Sequence, residues 1–144
     1  MTLPIQLAVA TAMTLASMLL HLLGLSGLLL IIRQRRRLEG WRHDAWAVLM
    51  AAIGLFILHG AEIWGYALFY VACGALGDFE TALYFSTATY TTIGYGDVVL
   101  ARPWRVIGAI EGAGGIILLG WSTAFFVAMV GRINSIENRV GRET

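Results

Sequence analysis

Lysine is absent from the sequence, and all ten basic residues are arginine. Cysteine is nearly absent. With Cys73 alone, no intrachain disulfide can form, and the redox compartment goes unread. Charge of either sign is scarce. Charged residues make up 13% of the 144, about half of what a soluble domain of this length carries. A net charge of +1 offers nothing to a polyanion, so no nucleic-acid partner is expected. Zinc-ligand spacing, a glycine-rich phosphate loop ahead of a helix and a nucleophile elbow are all missing. An enzyme is therefore not expected, nor any cofactor.

Apolar residues, at 58%, fall into long charge-poor runs, which is the membrane pattern. Ile5 to Ile32 contains no Asp, Glu, Lys or Arg. A helix needs roughly 20 residues to cross the hydrocarbon core, so this run tilts or projects. A signal peptide is the rival reading. It needs a basic start and a small-residue cleavage site, whereas here the arginines follow the run, in "RQRRR". Ala45 to Cys73 is a second span, interrupted by His59 and Glu62, and Trp104 to Val130 a third, with Glu111 inside it.

Between the second and third spans, Gly74 to Pro103 is too polar to cross. Within it, Phe79 to Thr91 reads as a short helix with Asp78 as N-cap. Such a helix rises about 20 Å, partway through a bilayer. The expected fold is thus an all-α integral membrane protein with three transmembrane helices and one re-entrant segment. It divides into 1–44 (first span and basic loop), 45–130 (the unit around the re-entrant segment) and 131–144 (a short tail).

Arginine placement orients the chain. Arg33, Arg35, Arg36, Arg37 and Arg42 lie between the first two spans, and Arg132, Arg139 and Arg142 follow the third. The re-entrant side has only Arg102 and Arg105. Positive charge stays in the cytoplasm, so the N-terminus and the re-entrant loop face outside and the C-terminus inside. The first arginine cluster serves as a topology anchor. It also suits anionic lipid headgroups, at about 1 kcal/mol per basic residue.

"TATYTTIGYGD", Thr87 to Asp97, is the segment that looks like neither helix nor strand. Non-helical backbone at membrane depth survives only where it is buried in protein or lines water. Gly94 and Gly96 allow positive φ, and alternating them with Ile93 and Tyr95 turns successive carbonyls the same way. The result is a column of oxygens, with the Thr92 hydroxyl below it. Hard cations stripped of water take oxygen ligands, and several copies around an axis could surround one.

"TTIGYGD" at Thr91 to Asp97 resembles the selectivity filter of potassium channels, whose usual form has Val in place of Ile93. The resemblance covers roughly Ala45 to Val130, and the extra N-terminal span departs from the simplest two-span members. It implies a homotetramer with a fourfold pore, in the cell (inner) membrane of a bacterial-type channel. The carbonyls of Thr92, Ile93, Gly94 and Tyr95 would replace the hydration shell of K+, the permeant ion, with Gly96 closing the filter. Asp97 would sit at the outer mouth. Tyr84 and Phe85 stand where relatives place tryptophans that pack around the filter. Many relatives also pair a pore-helix glutamate with the closing Asp. Ala88 occupies that place here, so Asp97 lacks that partner.

Glu111 is expected to turn from lipid toward the pore helix or the second span and to brace the filter indirectly. A protonated carboxyl that merely links two spans is the alternative. His59, Glu62, Tyr66 and Tyr70 share one helix face and form an inward polar network, with a pH sensor as the other reading. His21 stands alone in the first span. Gly115, or Gly114 beside it, is read both as an inner-helix hinge and as close packing, while Gly108 and Gly112 have packing spacing. Ser122, Thr123 and Phe126 are candidates for an inner cavity. Ile133, Ile136 and Val140 are either a short four-chain bundle or a frayed tail. Trp41, Trp46 and Trp104 look like interface anchors. The first span carries no arginine ladder and is no voltage sensor. The other readings are a weakly selective cation channel and a non-conducting membrane subunit or scaffold.

Overall fold

The computed structural model describes the backbone of residues 1–35 and 41–143 and the side chains of 1–32 and 45–131. Arg33, Arg35, Arg36, Arg37, Trp41, Arg42, Ile133, Ile136 and Val140 therefore have side chains outside the described residues. Four helices follow in order: α1 (Leu3–Arg35), α2 (Trp41–Ala72), α3 (Phe79–Tyr90) and α4 (Arg105–Glu143). No strand occurs among the described residues. Leu3–Ile32, Ala45–Ala72 and Arg105–Gly131 are long and apolar enough to cross a membrane, at 30, 28 and 27 residues.

Local chemistry sets the boundaries around the short helix. Gly74 adopts φ 68 and ends α2. Its N–H reaches Val71 O at 3.0 Å, and Ala75 N–H reaches Tyr70 O at 2.8 Å, which is the Schellman pattern. Asp78 then caps α3 as the sequence suggests. Its carboxylate accepts from Thr81 N at 2.8 Å and from Thr81 Oγ1 at 2.8 Å. Those hydrogen bonds, the backbone one first, hold Asp78 below the usual carboxylate range. At the other end, Thr91 closes α3 with its N–H on Thr87 O at 3.1 Å.

Helix α3 runs back between α2 and α4 and ends midway along both. Tyr90, its last residue, donates to Glu62 of α2 and lies against Gly115 of α4. Three apolar clusters stack along the molecule. One, around Tyr66, Tyr70, Ala82, Leu100 and Ile107, sits at the α3 end. A second, of Ile63, Tyr90 and Leu118, is central. The third joins Leu25, Leu28 and Ile32 of α1 to Ala51, Leu55 and Leu58 of α2 and Met129 of α4. Phe126, a candidate for an inner cavity, packs half-buried against this third cluster.

Two glycines set how α1 meets α2. A Cβ on Gly24 would lie 2.5 Å from Leu58 Cδ1, and one on Gly54 would lie 2.8 Å from Leu28 Cδ1. Each helix thus receives a leucine of the other where it has no side chain. Small residues let membrane helices approach closely in this way. The outer faces stay apolar, with Phe56 81% exposed, as suits helices covered by lipid or by further copies.

Candidate functional site

Thr92 to Asp97 form an exposed loop where α3 ends. Its backbone alternates in hand. Thr92, Gly94 and Gly96 have φ of 63, 56 and 78, while Ile93 and Tyr95 keep negative φ. In an ordinary strand successive carbonyls point to opposite sides. Reversing the hand at every second residue cancels that alternation and sends consecutive carbonyls the same way. Glycine tolerates this, but Thr92 is β-branched, and positive φ in such a residue is a true outlier. The loop is tied back at its base, with Thr92 N–H on Thr89 O and Gly94 N–H on Ala88 O, both at 3.0 Å.

Asp97 has a partner that the sequence reading did not give it. The Tyr84 hydroxyl donates to Asp97 Oδ2 at 2.7 Å. This bond is the main reason that the Asp97 carboxyl lies below its ordinary range and the Tyr84 phenol above its own. The expected loss of support at Ala88 is thus made good from Tyr84, and Ala88 still contributes through its carbonyl. Both groups rim a cleft of about 320 Å³ between α3, the loop and the start of α4. Phe85, by contrast, turns inward. It meets Tyr70 edge-on with ring centroids 5.5 Å apart and fills the space at Gly108.

Glu111 is fully buried and faces away from lipid, as expected. It accepts from Tyr70 Oη of α2 at 2.6 Å and from Ser86 Oγ of α3. Ser86 Oγ also lies 3.0 Å from Ile63 O. One carboxyl therefore ties α4 to both α2 and α3, with no basic partner among the described residues. Gly112 and Gly115 let this happen. A Cβ on Gly112 would sit 3.2 Å from Thr89 O, and one on Gly115 would run into the Tyr90 carbonyl. A Cβ on Gly114 meets only Thr14 Cγ2, at 3.8 Å. Gly115 is therefore a packing glycine in this structure, and α4 passes through it unbroken.

The polar face of α2 also turns inward, and it is larger than the sequence suggested. His59 and Glu62 meet Tyr90 of α3, Ser122 of α4 and His21 of α1. His21, read as solitary, is fully buried with its Nδ1 2.8 Å from Glu62 Oε1. Ser122, read as facing a cavity, is buried against both imidazoles, whereas Thr123 is exposed. Nothing in the sequence pointed to Ser86, Tyr90 or the φ of Thr92. Each depends on which helices cross, and at what height.

A family model described as ion channel matches residues 47–132, which hold most of α2, all of α3, the loop and most of α4. The chain belongs to the ion channel family. Its three long apolar helices make the channel a membrane protein. No curated protein matches it, and no solved structure matches it. Helix α1 lies outside the matched segment, so the channel presents an added helix against the part that defines the family.

Proposed function

We propose that the channel conducts K+ passively, with four copies of this chain placing their 92–96 loops around one axis. The observation that carries the reading is the alternation of hand at Thr92, Gly94 and Gly96 on the sequence TIGYG. At Thr92, the one non-glycine among the three, such strain costs on the order of 1–3 kcal/mol and collects where function needs it. The carbonyls of Thr92, Ile93, Gly94 and Tyr95, with the Thr92 hydroxyl, are the ligands that take over from water. The loop is exposed within one chain, and bare carbonyls at membrane depth need protein or water around them. Further copies supply that surrounding. Asp97, held by Tyr84, marks the outer mouth. Glu111 braces the foot of α3, on which the loop stands, and Tyr84 and Phe85 support the loop from behind.

In this reading 45–130 is the conducting unit, 1–44 an added helix and its basic loop, and 131–144 a tail. The basic loop and the C-terminus are cytoplasmic, and anionic headgroups meet Arg33, Arg35, Arg36 and Arg37. Purified protein in liposomes tests the reading. It is expected to run as a tetramer and to pass rubidium and potassium far faster than sodium. Gly94→Val and Gly96→Val are expected to abolish flux, because a β-branched residue resists positive φ. Equal sodium and potassium flux would leave a weakly selective channel, and no flux at all a non-conducting subunit.

A further inference from the structure

One buried cluster has no part in that reading. Glu62 receives both histidines on its two oxygens. His21 Nδ1 is 2.8 Å from Oε1, and His59 Nδ1 is 3.1 Å from Oε2. Tyr90 Oη lies against Oε2 and 2.9 Å from His59 Nδ1. On the far side of both rings, a single hydroxyl holds the remaining nitrogens. Ser122 Oγ is 2.9 Å from His59 Nε2 and 3.3 Å from His21 Nε2. The His21 and Glu62 side chains are 0% exposed, while His59 is 14% exposed.

The hydrogens can be placed without a metal: His21 donates from Nδ1 to Glu62, Ser122 donates to His21 Nε2, His59 donates from Nε2 to Ser122, and the Tyr90 hydroxyl faces His59 Nδ1 and Glu62 Oε2. That arrangement leaves the Glu62 carboxylate in a buried site with no positive charge beside it among the described residues. A cation among Glu62 and the two Nδ1 atoms supplies that charge. It takes the Nδ1 lone pairs and places the hydrogens on Nε2. Both Nε2–H groups then donate to Ser122 Oγ, which has two lone pairs to receive them. Metal-bound histidines fix their tautomer in this manner, through the nitrogen away from the metal.

We propose that His21, His59 and Glu62 bind a transition-metal ion of the zinc class, with Tyr90 Oη beside the fourth position. One ligand atom from each of the three lies within 4.8 Å of the others. Neighbouring ligands around tetrahedral zinc are roughly 3.3 Å apart for bonds near 2.05 Å. The two carboxylate–imidazole distances already approach that value. Two nitrogens and a carboxylate suit zinc or cobalt and disfavour magnesium or potassium. A tyrosinate or hydroxide in the fourth position would bring the site to zero net charge. Helix α1 supplies His21 from outside the family-matched segment, so the metal would clamp the added helix to α2 at the foot of α3. The partly exposed His59 is the way in.

The test uses the full-length protein in detergent, stripped with a chelator and then given Zn2+ or Co2+, with the excess removed. One equivalent per chain, a visible cobalt absorption and a raised thermal midpoint are expected. His21→Gln and His59→Gln should lose the retained metal. Ser122→Ala leaves all three ligands and is expected to bind about 10- to 100-fold more weakly. If the histidine variants fail to fold, the wild-type cobalt spectrum and the Ser122→Ala affinity decide the matter. Folded wild-type protein that retains no metal, with a thermal midpoint indifferent to zinc and chelator, would overturn the proposal.

Discussion

Tyr84 and Asp97 stand on either side of the loop and are joined by one hydrogen bond of 2.7 Å. Tyr84 belongs to α3, which leads into the loop, and Asp97 to the chain that leaves it. The bond therefore closes the loop at the end away from α3, while Gly94 N–H on Ala88 O closes it at the base.

This bond predicts a defined response to acid on the loop's side of the membrane. A carboxylate whose folded pKa is depressed contributes its stabilisation above the ordinary carboxylate pKa and loses it as pH falls through the folded value. Wild-type activity should thus withstand external acid down to below the usual Asp range. Tyr84→Phe keeps the ring and removes the hydroxyl, so its acid-induced change in open probability should occur at higher pH. Single-channel recording over an external pH series measures this. Coincident titrations in the two proteins would refute the coupling.

Glu111 should tolerate Gln far better than Ala. Gln keeps an acceptor and a donor between Tyr70 and Ser86, whereas Ala leaves two buried hydroxyls without their carboxyl. An unsatisfied buried group costs about 1–3 kcal/mol. Glu111→Ala is expected to assemble with a lower thermal midpoint and with altered open probability or weaker discrimination against sodium. A lower midpoint with unchanged conduction would reduce Glu111 to a link between helices.

Gly115 and Gly114 separate packing from hinging. Gly115→Ala drives a methyl into the Tyr90 carbonyl, which is backbone and cannot rotate aside. Overpacking of this sort costs typically about 1–3 kcal/mol. The expected result is a lowered thermal midpoint and disturbed conduction. Gly114→Ala meets only ordinary contact at Thr14 and should be close to wild type. Thermal melts and flux on the two variants check this, and the reverse order would favour a hinge.

Cys73 is free and exposed at the end of α2, on the side of the loop. As the only cysteine it is a built-in topology probe. A membrane-impermeant thiol reagent is expected to label it from outside. In a Cys73→Ser background, Glu39→Cys should be labelled only from the cytoplasmic side. The opposite pattern would invert the orientation.

What the sequence disclosed was local or was forced by the membrane. Asp78 could be read as a cap because capping is settled within one turn. The loop's departure from helix showed in its glycine spacing. The inward turn of Glu111 and of the His59–Glu62 face followed from the cost of a carboxyl in lipid. The partners were another matter. That Glu62 meets His21, that Ser122 faces two imidazoles and that Tyr84 reaches Asp97 depend on the relative height and rotation of separate helices. Adjacent residues carry no record of those. The strain at Thr92 was hidden for a different reason, since threonine is among the residues least suited to positive φ.

The crossed seats of Leu58 at Gly24 and Leu28 at Gly54 have a mechanical consequence. Each seat alone would leave α1 free to pivot about it. Two seats, with the leucine contributed once by each helix, remove both the pivot and the slide. A shift of one residue would lift both leucines onto neighbouring side chains at once. Helix α1 is thus indexed to α2 like a toothed rack, and any displacement of α2 within the assembly would carry α1 through the lipid with it. The surrounding bilayer would then act as a load on that displacement, larger than α2 alone would feel.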